Sequence, residues 1–400
     1  MKVLKLSIAL LALCSSALFC DEKLDDYISK NKKEQFDYDF KKNEAESSKL
    51  RDSWIAPLNL NYSHTKSNPY GDEQTSESAA IKMDQPIFQS GGIYYGIKFA
   101  EASKIYSNYS IDVVKRKLIK DAISLLMQIK QTDLKISKQK LQIENSEINL
   151  AQKKEGYLNG QLDSGFLDSA IVERNILIQA LYDIETNKER VISKFHAISD
   201  MNHENASVPT LKLITQEQFL EQNIILGMSE SEIIKNGYAK DLTLTKYLPR
   251  VNATVGYSWD KSNTSYQFGA NEKEYYSFGF KANLPLDINS FKDVESSKID
   301  YLKSKLVVED RKRELIALFE QVMQNIDNFE KKKQLSVENR DIYEKLLVDT
   351  QDLFRAGYKT QYDVELLQNS LEIQKGDVEI YEIDKQLELL TLYEMYKDEI

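Results

Sequence analysis

Arg250-Val251-Asn252-Ala253-Thr254-Val255-Gly256-Tyr257-Ser258-Trp259-Asp260 is the stretch that decides how this chain folds. Val251, Ala253, Val255, Tyr257 and Trp259 alternate with Asn252, Thr254, Gly256, Ser258 and Asp260, so an extended backbone has one apolar and one polar face. Tyr276, Phe278, Phe280 and Ala282 oppose Ser277, Gly279 and Lys281 in the same way, and the polar run Gly269-Ala270-Asn271-Glu272 joins the two strands into a hairpin. A second hairpin stands earlier in the chain. There Leu58, Leu60 and Tyr62 oppose Asn59, Asn61, Ser63 and Thr65; beyond Pro69-Tyr70-Gly71-Asp72, Ala79, Ile81 and Met83 oppose Ala80, Lys82 and Asp84.

Such strands fit either a soluble sheet packed on a core or a membrane barrel with lipid outside and water inside. The alternation alone does not separate the two. About 9 to 11 tilted residues cross a membrane, and Tyr257, Trp259, Tyr275 and Tyr276 are expected near the strand ends, where aromatic girdles belong. Four strands cannot close a barrel, and open edges do not survive in lipid. The membrane reading therefore requires several copies of the chain.

The hairpins belong to a larger duplication. Leu60-Asn61-Tyr62-Ser63 recurs as Val255-Gly256-Tyr257-Ser258, Pro86-Ile87 as Pro285-Leu286, and Asp168 as Asp363. The offset stays close to about 195 residues, too long for a solenoid unit, so it reads as tandem duplication of one helix, strand, strand, helix plan.

After each hairpin the helix breakers disappear. Neither Gly nor Pro occurs from Ile97 to Glu155 or from Leu286 to Ala356, which allows helices of roughly 90 to 100 Å. Ile129, Ile136, Ile143 and Leu150 recur at sevens, and Leu315, Phe319, Val322, Ile326 and Phe329 at alternating fours and threes. Leu177, Leu181, Ile184, Val191 and Phe195 mark a returning seam, with polar residues on the other faces. Long paired helices that solvate most of their surface are expected, turning at Gly156, Gly160 and Gly165 in one copy and at Gly357 in the other.

Met1 to Cys20 place Lys2 and Lys5 before an apolar run from Leu6 to Leu13 and the small residues Ser15, Ser16 and Ala17, the layout of a secretory signal cleaved after Ala17. Phe19, bulky where small residues precede a lipidated cysteine, argues against acylation of Cys20. Both cysteines, Cys14 and Cys20, fall in or beside this segment, so no disulfide is expected within the mature chain. The 400 residues carry a formal net charge of −10, with lysines and arginines interspersed among acids, which disfavours nucleic acid as a partner.

Catalytic patterns are missing. His64, His196 and His203 have no metal-ligand spacing, and neither a phosphate loop nor a Gly-x-Ser-x-Gly elbow occurs. No enzyme activity, metal or cofactor is expected.

Tyr247-Leu248-Pro249-Arg250-Val251 resembles the barrel entry of the TolC-like outer membrane efflux family, and Gln85-Pro86-Ile87-Phe88 with Gly91-Gly92 resembles the family's exit from its second strand. Phe354-Arg355-Ala356-Gly357-Tyr358-Lys359-Thr360-Gln361-Tyr362-Asp363-Val364, with Leu367-Gln368 and Leu371, is similar to its second helical turn. The resemblance implies a mainly α chain whose homotrimer forms a 12-stranded transmembrane β-barrel continued into a periplasmic α-helical coiled-coil barrel. It implies an outer-membrane exit duct for efflux or type I secretion, working with a periplasmic adaptor and an inner-membrane pump. Gly160, Asp163, Asp168, Arg355, Gly357, Thr360, Tyr362 and Asp363 are the implied gate or adaptor contacts at the helical tips. Inward residues such as Asn61, Ser63, Thr254 and Ser258 would keep the lumen wet, and acidic rings would favour cations.

The expected organisation is a signal at 1–20, a first repeat at 21–205 with hairpins about 58–85 and 92–200, an equatorial segment at 206–228, and a second repeat at 229–400 with hairpins about 250–285 and 290–400. The competing reading is a soluble periplasmic coiled-coil scaffold or adaptor. Adaptors usually insert one compact β domain into a single helical hairpin, whereas here hairpins of both kinds alternate.

Overall fold

The computed structural model describes residues 24–68, 71, 73–263 and 271–397; the expected signal, Cys20 and most of the residues named for the two strand loops lie outside these. A 3-10 turn at Leu24–Tyr27 precedes α1 (Lys30–Arg51), β1 (Asn59–Ser67), β2 (Gln74–Phe88), α2 (Gly92–Leu158) and α3 (Ser164–His196). The second half runs α4 (Gln216–Glu221), α5 (Ile224–Thr245), β3 (Arg250–Asn263), β4 (Asn271–Asn283), α6 (Ser290–Arg355) and α7 (Gln361–Tyr393). Counterparts match in length: 67 and 66 residues for α2 and α6, 33 each for α3 and α7, and 22 each for α1 and α5. The two longest helices extend about 100 Å.

The strands form one antiparallel sheet in the order β1-β2-β3-β4. Its register lines up side chains across all four strands. Leu60, Ile81, Tyr257 and Tyr276 make one row, with Met83, Val255 and Phe278 in the next on that face and then Gln85, Ala253 and Phe280. Tyr62, Ala79, Trp259 and Glu274 bound this apolar band above, and His64, Glu77, Lys261 and Glu272 form a charged row beyond it. With rows about 6.7 Å apart, the four rows from Tyr62 to Gln85 span about 20 Å along the strands and about 15 Å along the axis of a tilted barrel. None of the described residues covers it: Phe278 is 80% exposed and Leu60 74%.

The register corrects the expected girdle. Tyr257 and Tyr276 face each other in mid-strand, and Tyr275 lies on the polar face opposite Ser258; Trp259 stands on the band's upper border. Asn271 and Glu272, expected in the loop, open β4, where Glu272 accepts a hydrogen bond from Trp259 Nε1 at 2.6 Å. Gly165, expected in a turn, lies inside α3.

The apolar core sits at the equator, where five helices supply most of the deeply buried side chains. Ile123, Leu126 and Met127 of α2, Phe195 of α3, Phe219 of α4, Val322 of α6 and Leu389 and Leu392 of α7 are at most 2% exposed. Phe219 packs against Phe319 with ring centroids 5.8 Å apart. The segment before α4 contributes Ala206, Leu211 and Ile214, pinned where Leu211 N donates to Gln386 Oε1 at 2.7 Å and Tyr393 Oη donates to the Lys212 carbonyl at 2.9 Å. α5 begins at Ile224, inside the expected equatorial segment 206–228, because Asn223 Oδ1 accepts from both Ile225 N and Leu226 N at 3.0 and 3.1 Å.

Away from the equator the seams become polar. Alongside the apolar heptad of α2, Thr132, Gln139 and Ser146 occupy the other inward layer and are buried, as are Ser336 and Thr350 on α6. Gln139 Nε2 donates to the Leu177 carbonyl at 2.9 Å, and Lys138 Nζ meets the buried Asp377 at 2.6 Å.

Phe219→Ala should therefore destabilise the equator by about 3 to 5 kcal/mol. Circular dichroism should show an earlier helical melt, with amide exchange accelerated first around α4 and the segment packed on it.

Candidate functional site

The sequence-selected residues gather at the far ends of the long helices, where two tight turns close by the same backbone bonds through a left-handed glycine and differ in the caps that follow. In the first, Gln161 N and Leu162 N both donate to the Gly156 carbonyl, at 2.8 and 3.2 Å, folding Leu162 back on the helix end. A Cβ at Gly156 would stand 2.8 Å from Leu162 Cδ1 and 3.1 Å from its Cγ, so a larger residue there would displace the Leu162 side chain from the helix end. Asp163 then caps α3, its Oδ1 accepting from Gly165 N at 2.8 Å and Phe166 N at 3.3 Å.

In the second turn Tyr358 N donates to the Leu353 carbonyl at 2.9 Å, closing the end of α6 through a left-handed residue. That residue is Gly357 (φ 79°), and Gly160 (φ 69°) is its counterpart in the first turn. Thr360 and Asp363 form a reciprocal cap: Asp363 N donates to Thr360 Oγ1 at 3.3 Å, while Thr360 N and Oγ1 each donate to Asp363 Oδ2 at 2.9 Å. These bonds, with Lys359 at 3.9 Å, hold the Asp363 carboxyl below the ordinary range.

Two of the eight residues meet the opposite tip. Thr360 and Tyr362 line a groove of about 430 Å³ with Gln152, Glu155, Gln161 and Leu162, and Tyr362 Oη reaches Glu155 Oε1 at 3.5 Å. Asp168 lies elsewhere, on an α3 face shared with Val172, Glu173 and Ile176. Arg355 pairs with Asp352 of its own helix at 3.1 Å. Asp163 and Asp363 spend carboxylate oxygens on caps. Glu155 and Leu162 were missed by sequence reasoning; Glu155, directly before Gly156, carries a local signal of the turn, but its pairing with Tyr362 spans 207 residues.

Among the described residues no group of three His, Cys, Asp or Glu side chains is placed to hold a metal, and no helix is long and apolar enough to cross a membrane. His196 and His203 stack edge to face at 5.3 Å, and His64 contacts Glu77 at 3.2 Å on the sheet.

Thr360→Ala should loosen the second tip by about 1 kcal/mol. Because the folded Asp363 has a depressed pKa, its stabilisation is fully present above the unfolded value of 3.8 and disappears as pH falls through the lower folded value. Amide exchange at Gln361–Val364 should accelerate over that acidic window in the wild type, and the acceleration should vanish in Thr360→Ala.

Residues 217–395 match the outer membrane efflux protein family model. No curated protein matches the sequence. The fold is similar to the Campylobacter jejuni CmeC outer membrane channel, with a TM-score of 0.71, 12% identity and coverage of 94% of this chain and 84% of that one. The outer membrane protein VceC of Vibrio cholerae gives a TM-score of 0.69 at 11% identity, covering 91% of this chain and 93% of that one. The open state of the Neisseria gonorrhoeae MtrE outer membrane channel gives 0.64 at 10% identity, covering 91% and 86%. The outer membrane efflux protein signature thus lies in residues 217–395, and over nearly its whole length the chain has the fold of these outer membrane channel structures.

Proposed function

We propose that three copies of this chain form an outer-membrane efflux duct: a 12-stranded barrel continued through the periplasm as an α-helical tunnel. The bare apolar band carries this reading. A four-stranded sheet with two open edges and an uncovered face bearing Leu60, Tyr276, Phe278 and Phe280 is unsatisfied in water and, alone, in lipid. Pairing β4 of one copy with β1 of the next satisfies both edges, and lipid covers the face. A soluble scaffold would leave the band in water, where so large an apolar patch marks an interface.

The duct performs no bond chemistry. Its polar inner face, with Asn61, Ser63, Thr254 and Ser258, keeps a continuous aqueous path, and an inner-membrane pump supplies the work through a periplasmic adaptor. The tips are the parts that reach toward those partners. The groove between them, lined by Glu155, Thr360 and Tyr362, is the proposed adaptor contact, and Asp168 and Arg355, both exposed and outside that groove, are the proposed gate charges.

Purified protein should have the mass of three chains in detergent and show discrete conductance steps in a planar bilayer; a detergent-independent monomer without conductance would sink the duct. Phe278→Lys, placing a charge in the middle of the apolar band, should cost about 2 to 4 kcal/mol of membrane insertion and sharply lower the yield of assembled trimer, with the helical content of the unassembled chain retained.

A further inference from the structure

We infer that the polar face of the sheet carries a basic band near its tunnel end that biases the barrel toward anionic solutes, an inference that rests on the duct reading. The described strand residues on that face with a charge are Lys82, Asp84, Arg250, Asp260, Lys273 and Lys281. They are not evenly distributed. Asp260 and Lys273 face each other in register at the far end, where opposite signs offset one another. The tunnel end holds Lys82, Lys281 and Arg250 against Asp84 alone, so basic groups outnumber acidic ones three to one.

The geometry leaves this charge uncompensated. Lys82 shares its row with Asn59, Gly256 and Ser277, none of them acidic, and its Cγ lies 3.5 Å from where a Cβ on Gly256 would stand. Lys281 pairs with Asn252 in register. Arg250 is held by an amide: the Asn283 oxygen, oriented to satisfy both groups, accepts from its Nε and Nη2 at 3.2 and 3.0 Å. Asp84 accepts from Asn252 Nδ2 at 2.8 Å and keeps its charge, but no ion pair joins it to any of the three basic residues, so the face carries two net positive charges per chain there. Just below the strands Asp293, which accepts from the Tyr247 hydroxyl, and Asp287, which accepts from Asn289 N at 2.8 Å, are acidic and bound the basic band on that side.

Lys82 and Arg250 are separated by three rows, so in a tilted barrel the band occupies about 15 Å of its length. Threefold repetition closes it into a belt facing water. At physiological ionic strength the field of such charges extends about 8 Å, and at 0.01 M about 30 Å, enough to concentrate anions and deplete cations within the lumen. Acidic groups at the tips favour the opposite sign, so the two ends of the conduit would select in series. Amphiphilic or phosphorylated solutes with an anionic group are the cargo class for which the barrel end offers no electrostatic barrier.

The test is the reversal potential of purified full-length trimers in planar bilayers under a KCl gradient at low ionic strength. Wild type is compared with Lys82→Gln/Lys281→Gln and Lys82→Glu/Lys281→Glu, substitutions at exposed positions whose assembly is checked by trimer mass. The chloride-to-potassium permeability ratio should fall progressively, by about threefold for the charge reversal, and the difference should collapse near 1 M salt. Conducting trimers with one unchanged ratio in all three proteins would overturn the basic band and leave the duct standing. Wild-type trimers that never conduct would overturn the duct and the band with it.

Discussion

The unpaired backbone of two strand edges is the constraint on which the rest of this structure depends. β1 and β4 each pair on one side only, and the face between them presents aromatic and aliphatic side chains to the surroundings. Amides without partners are tolerable in water, and apolar faces are tolerable in lipid, but an open sheet satisfies neither solvent. In the trimer proposed above, a cyclic arrangement would pair each β4 with the β1 of the next copy and resolve the conflict without further sequence. The long helices would inherit that geometry, because they follow the strands directly in the chain.

Below the sheet, stability is unevenly distributed along the helices. At the equator, Leu126, Phe195, Phe219, Val322 and Leu392 close a dry core. Toward the tips, the inward layers pass to Thr132, Gln139, Ser146, Ser336 and Thr350, small or hydrogen-bonding groups that bury less apolar area per turn. The buried Asp377 is compensated by Lys138, a pair that fixes helix register while contributing little net stability. Separating helices therefore costs least at the tips and most at the equator, so any opening of the periplasmic end can proceed without unravelling the girdle that anchors it.

Much of this architecture is legible in the residues, for reasons that are local. Val251 through Trp259 alternate because both faces of one strand meet different solvents, and Leu315 through Phe329 recur at fours and threes because one stripe of one helix is buried. Properties that depend on pairing are not legible in this way. Whether Tyr276 stands at a strand end or in mid-strand is decided by the residue opposite, Tyr257, and no pattern within β4 contains it. The start of α5 was set by the Asn223 cap and not by the apolar run after it. At the tips, Asp163 and Asp363 stand out as charges, but their carboxylates serve the turns, while Glu155 meets Tyr362 only through the approach of two hairpins.

The duplication is most nearly complete where it serves length and least where it serves recognition. Equal spans of α2 and α6, and of α3 and α7, carry both turns to the same distance from the sheet, which a tunnel built from both repeats requires. The turns share a left-handed glycine, Gly160 and Gly357, and have diverged in what surrounds it. The first folds Leu162 onto Gly156 and caps with a single aspartate; the second caps with a reciprocal Thr360–Asp363 box. Leu158 at 72% exposure and Tyr358 at 80% stand on the outside of the respective turns, one aliphatic and one aromatic with a polar handle. In the trimer proposed above, a ring of such tips would alternate two chemically different surfaces, so a partner recognising one would be held in register by the other, with two kinds of docking position instead of one sixfold-equivalent set.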